Sequence, residues 1–300
     1  MRVIVLNSSN LVQDGQNNKL IYKFPNSVVF KNNSIAVSSV SMYYSWFNIS
    51  HALMNNIFSY SWTEGSNPPI TYEVVIPDGL YEIAQLNAYL QFVMISNNTY
   101  LIDASGKYVY YAEIVLNPTR YAVQLNTYLF PTQADLPAGY TTPAGFVFPA
   151  NSFNPVVTFP ANFSNIVGYT AGFASNNNVG NGFVPPTSQY VSKASDGTIS
   201  YLSTQAPNVQ PNSSIYFSLS NINNPYSQPS SIIYSLVPQG VVGSLITERP
   251  PQFMWNKMID GAYNQLVLTF LGTDLNPIVI QDPSMTILLT IKDPEEYGGK

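Results

Sequence analysis

The chain is 300 residues long and 45% hydrophobic, with 22 Tyr, 16 Phe and 3 Trp, which supplies the core of one large domain and excludes a disordered chain. Only 9% of its residues are charged, with eleven basic side chains scattered from Arg2 to Lys300, so no cationic stripe is available for direct nucleic-acid binding. The absence of cysteine excludes a disulfide framework and thiolate metal sites, and is compatible with assembly in a reducing cytoplasm.

With so few ions, Asn, Gln, Ser, Thr, Tyr and Pro must cover the surface. Such neutral groups can be buried against a neighbour without stripping water from charges, which suits a protein enclosed by other subunits. A secreted adhesin or lectin has the same composition, so composition leaves the two open. The apolar run within Met1 to Asn7 is too short for a signal peptide, and no stretch approaches the roughly 20 apolar residues of a membrane span.

Along the chain, alternation of period two dominates. From Ile35 to Trp46 the apolar positions are first odd (Ile35, Val37) and then even (Val40, Met42, Tyr44, Trp46). The slip predicts a β-bulge at Ser38-Ser39, unless the strand is covered on both faces and needs none. A strand over 71–76 runs into Pro77-Asp78-Gly79, and then Ile83, Leu86, Leu90 and Val93 recur at helical spacing. This predicts a helix over 81–94 that covers the end of a sandwich, with Asp78 as the nearest side-chain cap.

Further strands are expected over 108–116 and 121–129, the first with Val109, Tyr111 and Val115 facing outward. Pro-, Gly- and Asn-rich stretches over 131–155 and 175–211, including Asn176-Asn177-Asn178 and Pro185-Pro186, read as loops at an outer tip or in subunit contacts. Strands follow at 215–219, 231–237, 265–270 (Leu266, Leu268 and Phe270 inward) and 285–291 (Met285, Ile287, Leu289 and Ile291 inward), before an end after Lys292 expected to be mobile. The reading is one all-β domain over 1–300, with room for a loop-rich insertion within 106–211.

Catalytic chemistry finds little footing. His51 is the only histidine, and it reads as a loop residue rather than a base. No serine elbow, phosphate-cradling Gly loop or zinc-spaced His pair is present, so no catalytic, cofactor-binding or metal residue is assigned and no cofactor is expected. Glu64, Glu73, Glu82, Asp103 and Glu113 could in principle supply a glycosidase pair, but nothing in the sequence brings two of them together. Trp46 belongs to the apolar phase of its strand and is expected in the core. Trp62 and Trp255 are open between core and interface anchor.

Three segments carry a resemblance. The first runs from Tyr72 through Pro77, Asp78 and Gly79 to Asn87 and Gln91; the second comprises Asn117 to Leu125, with Arg120, and Phe159 to Tyr169, with Pro160. The third and most specific is Phe270 to Ile278, with Asn276-Pro277, followed by Asp282-Pro283 and the strand after it. Together they resemble the minor capsid, or penton, proteins of virophages of the mavirus and Sputnik type and of Polinton (Maverick) elements. The departure is Tyr81-Glu82, where a Ser or other side-chain cap would be expected.

The resemblance implies a vertical single jelly roll of two facing antiparallel four-stranded sheets with one capping helix. It also implies a homopentamer at the vertices of an icosahedral double-stranded DNA virion, partnered by trimers of a double-jelly-roll major capsid protein, and no catalysis. Assembly in the host cytoplasm is expected, and the host receptor is not specified. The motif residues resemble fold determinants rather than contact residues. A carbohydrate-binding β-sandwich acting in host attachment is the alternative.

Overall fold

The alternating segments are strands, and their inward sets are buried. In a computed structural model that describes residues 1–175, 190–209 and 212–293, Leu266, Leu268 and Phe270 are at most 1% exposed, and Ile287 and Leu289 are fully buried. In chain order the elements are β1 (Arg2–Asn7), β2 (Lys19–Phe30), β3 (Ser34–Tyr43), β4 (Ile57–Trp62), β5 (Ile70–Val75), α1 (Ile83–Ser96), β6 (Leu101–Ile102), β7 (Tyr108–Val109), β8 (Ala112–Asn117) and β9 (Ala122–Thr127). There follow β10 (Val157–Phe159), α2 (Ala161–Val167), β11 (Phe173–Ala174), β12 (Tyr190–Lys193), β13 (Ile199–Leu202), β14 (Ile215–Leu219), β15 (Ile232–Leu236), β16 (Leu245–Glu248), β17 (Asn256–Lys257), β18 (Gly261–Leu271) and β19 (Met285–Lys292).

The chain divides into two compact units, Met1–Phe47 with Gln210–Lys300, and Asn48–Val209. In the first, one antiparallel sheet has the order β1-β19-β3-β16, with β17 also paired to β3, and the other has the order β15-β14-β18-β2. Numbered within the unit, its eight main strands lie as 1-8-3-6 and 5-4-7-2, the two interlocked Greek keys of a jelly roll. Ile4, Val37, Val40 and Leu289 from one sheet and Leu20, Phe217, Leu268 and Phe270 from the other share one buried cluster. The expected pair of facing sheets is therefore present.

The slip of phase in β3 has the expected cause. Leu288 pairs with Ser39 and Leu289 with Val37, so Ser38 is passed over, and its hydroxyl donates to the Leu288 carbonyl at 3.1 Å. The extra residue lets Ile35, Val37, Val40 and Met42 all reach the core.

The domain organisation differs from the expectation of a single domain over 1–300. Residues 48–209 leave the jelly roll between its third and fourth strands and form a second sandwich, with sheets β11-β10-β4-β5 and β12-β13-β9-β8. The insertion thus begins well before 106 and takes in β4, β5 and α1, which lie ahead of the 106–211 range expected for it, as well as β8 and β9 within that range. The reason is closure: Tyr60, Trp62, Val74, Leu125, Phe159 and Tyr201 bury one another with Leu86 and Leu90 of α1 in a cluster of their own.

Asn48 closes the base of this unit. Its amide donates to the carbonyls of Tyr81 (2.8 Å) and Val209 (2.7 Å) and its oxygen accepts from the Tyr81 N–H (2.9 Å), which ties the first residue of the insertion to its last. Helix α1 starts two residues later than expected, and Gln85 accepts the Glu82 N–H at 2.8 Å. Asp78 is not the cap; it accepts the His51 N–H at 2.7 Å.

The stretch 131–155 is less loop-like than its composition suggests. Phe146 and Phe148 pack against the core of the unit, and Phe153 bridges to Phe130. The Asn154 amide, fully buried, donates to the carbonyls of Thr127 and Gly197 at 3.0 Å each. Asn176-Asn177-Asn178, Pro185-Pro186 and the end after Asp293 lie outside the described residues.

Candidate interaction surfaces

Two of the residues tested for catalysis, Asp103 and Glu113, hold local structure. Asp103 accepts the Ser105 N–H and hydroxyl and the Lys107 N–H, which together hold its carboxyl below the usual range, the Ser105 hydroxyl contributing most. Glu113 accepts the Tyr128 hydroxyl at 2.6 Å and the Asn126 amide at 3.3 Å through Oε2. Glu73 and Glu82 are exposed, and so is His51. Among the described residues no three His, Asp or Glu side chains gather as a metal site would require.

The motif residues sit at turns and latches. Gly79 exchanges backbone hydrogen bonds with Ile49, so Pro77-Asp78-Gly79 and the segment after Asn48 hold each other. Asn87 on α1 accepts the Ile114 N–H at 2.9 Å and so fastens the helix to the edge strand β8. Asn117 donates to Gln124 and accepts the Arg120 N–H, closing the β8–β9 turn. The Pro160 carbonyl accepts the Ser164 N–H in the first turn of α2. Asn276 bonds Asp274 through its N–H and its amide, Pro277 bridges to Leu271, and Asp282 receives the Ser284 N–H ahead of β19, with Pro283 between them.

Trp62 is 1% exposed and is met edge-on by Phe130 (4.7 Å between centroids) and Phe153 (5.2 Å), so its ring offers no face to a partner. This corrects the interface alternative for Trp62: the loop after β9 folds back over the ring, a contact invisible to local pattern. Trp46 is core as expected. Trp255 is half-buried, with Phe253 against its edge and the Lys292 ammonium 5.6 Å from its centroid.

Two surface features stand out. On the outer face of the β1-β19-β3-β16 sheet, register lines up the rows Val3-Thr290-Ala36, Val5-Leu288-Ser39, Asn7-Thr286-Ser41-Thr247 and Tyr43-Leu245. All four rows are uncharged, with Val3, Val5 and Leu245 about half exposed, and the row beyond them, Lys292-Ser34-Lys257, carries two lysines. On the opposite sheet Lys19 and Lys23 of β2 stand beside Thr269 and Gln265 on the outer face.

The second feature is a hollow of about 420 Å³ in the insertion, lined by Gln91, Tyr108, Val109, Tyr110, Tyr111, Glu113 and Tyr128. It arises because the expected strand over 108–116 breaks between β7 and β8. Tyr111 turns inward onto Phe130 (4.6 Å) instead of outward, while Tyr110 stays half-exposed and Tyr108, 49% exposed, packs on Tyr100 (4.7 Å).

No family model matches the chain, and no curated protein matches it. Among solved structures it is similar to the mavirus penton protein, at 10% identity over 97% of this chain and 98% of that one with a TM-score of 0.40. It is also similar to a chain of the Sputnik virophage, at 10% identity over the whole of both chains with a TM-score of 0.36.

Proposed function

We propose that this chain is a structural capsid protein that forms the pentameric vertices of an icosahedral double-stranded DNA virus or virophage. The observation that carries the reading is the jelly roll with four successive uncharged rows on one outer face, its lysines Lys292 and Lys257 confined to the row at Ser34; the motif resemblance at Asn276-Pro277 and Asp282-Pro283 supports it. A neutral face of Val, Leu, Ser and Thr loses little hydration energy when covered, whereas a charged face resists burial. In a closed ring each subunit meets a neighbour on either side through two different surfaces, and the neutral rows supply one of the two. Major capsid trimers are the second partner, and the virion is the location, with assembly in the host cytoplasm.

Analytical ultracentrifugation of the purified chain, alone and with major capsid trimers, tests this. Pentamers or trimer-bound complexes are expected, and Val5→Asp, which places a charge in the middle of the neutral rows, is expected to return the chain to monomers with an unchanged circular dichroism spectrum. Monomers that also fail to bind the trimers would refute the reading, and saturable glycan binding by those monomers would favour attachment instead.

A further inference from the structure

We propose that the tyrosine hollow of the insertion is a binding site for an alkylammonium group, of the kind found in choline. The proposal is independent of the vertex reading. Its basis is the pairing of ring faces with an oriented, uncompensated carboxylate. Four tyrosines line the hollow, and Tyr108, Tyr110 and Tyr128 are partly open to solvent. A cation over such faces is attracted by the ring quadrupoles, more strongly where water is excluded.

Glu113 supplies the charge. Its Oε2 is held by the Tyr128 hydroxyl and the Asn126 amide, and Asn126 in turn accepts from Ser200 at 2.7 Å and Gln124 at 2.8 Å. Among the described residues Oε1 has no hydrogen-bond partner, so one oxygen fixes the side chain and the other remains for a ligand. No Lys or Arg lines the hollow; Lys107, next to Tyr108, belongs to the Asp103 turn. Burial first, then the hydrogen bond and charge of Glu113, with a further contribution from Asp196, push the Tyr128 phenol above its ordinary value; only the Glu113 and Asp196 parts reflect negative charge nearby.

This combination favours a cation over the other occupants. An anion would meet Glu113 with no basic group to offset it. A neutral sugar could stack on the tyrosines, but it would leave the carboxylate's charge unanswered in a half-buried position. A methylated or alkyl ammonium satisfies rings and carboxylate together.

Calorimetric titration of the full chain with choline chloride, and with sodium chloride at equal ionic strength as control, tests the assignment. Saturable choline binding is expected, weakened about tenfold or more in Glu113→Gln, which keeps an acceptor for the Tyr128 hydroxyl and removes only the charge. Tyr108→Ala, at an exposed ring, is expected to weaken it severalfold. Sedimentation with phosphatidylcholine vesicles, competed by free choline, would support a lipid headgroup as the source; binding of choline without vesicle capture would support a free ligand. Absence of saturable choline binding, equal affinity in folded Glu113→Gln, or tighter binding of a neutral disaccharide than of choline would each overturn the proposal.

Discussion

Tyrosine is the residue through which this chain does without charges. Tyr169, in the core of the insertion, accepts the Leu125 N–H at 2.9 Å and donates to the Tyr201 carbonyl at 2.8 Å, so a single phenol joins β9 to β13. The Tyr60 hydroxyl pairs with Thr99 at 2.8 Å, and burial above all pushes its ionisation up to about 12. Tyr111, Tyr128, Tyr169 and Tyr234 are raised as well, burial being the leading cause in each. A folded value above the unfolded one, which is about 10, means that the stabilisation is complete below that pH and is lost as pH rises through the folded value. A spectrophotometric titration of the phenols, followed together with circular dichroism, checks this. The buried set should ionise only at higher pH, together with loss of the circular dichroism signal; ionisation of all tyrosines in one early step would contradict the packing described. Asn48 makes a second case at this scale. Asn48→Ala strands the part-buried carbonyls it serves, and urea unfolding should register a loss of about 1–3 kcal/mol.

Among the elements, β3 and α2 show how one residue sets a larger geometry. Removing Ser38 would erase the bulge and turn either Ile35 and Val37 or Val40 and Met42 to the outer face. The deletion is therefore expected to abolish folding, whereas Ser38→Ala, which loses one partly exposed hydrogen bond, should cost about 1 kcal/mol or less; expression and thermal melts of the pair would check it. At the end of α2, Gly168 has φ +76°, and a Cβ there would lie 2.3 Å from the Gln205 carbonyl oxygen. Asn tolerates the left-handed backbone but not that contact. Gly168→Asn should consequently be about as destabilising as Gly168→Ala, by more than about 1 kcal/mol each, and a marked rescue by Asn would show that the backbone angle alone matters.

For the whole molecule, the consequence of the insertion is two buried cores in one chain. Phe270 is fully buried in the first and Trp62 is 1% exposed in the second. Truncation of either to Ala is expected to cost about 3–5 kcal/mol, and hydrogen exchange should show the loss of protection concentrated in the unit that carries the change. Residues 48–209 expressed alone are expected to unfold cooperatively, because the Asn48 bonds to Tyr81 and Val209 close their own boundary. A uniform loss of protection in both units, or a molten 48–209 fragment, would argue for one cooperative domain.

Much of the secondary structure was legible in residue order: the alternations of β14, β18 and β19, the slip at Ser38 and the apolar stripe of α1 all follow from side-chain period, a local property of the backbone. So was the shortage of charge that leaves four rows of one sheet face neutral. Period does not say which strands share a core. Thr71 to Ile76 reads like any jelly-roll strand, yet it pairs with β4 in a separate sandwich, because pairing is decided by closure of distant segments around a common apolar volume. The fate of Trp62 and the assembly of the tyrosine hollow from a helix, a broken strand and the end of β9 were decided at that level too, where contacts join residues far apart in the chain.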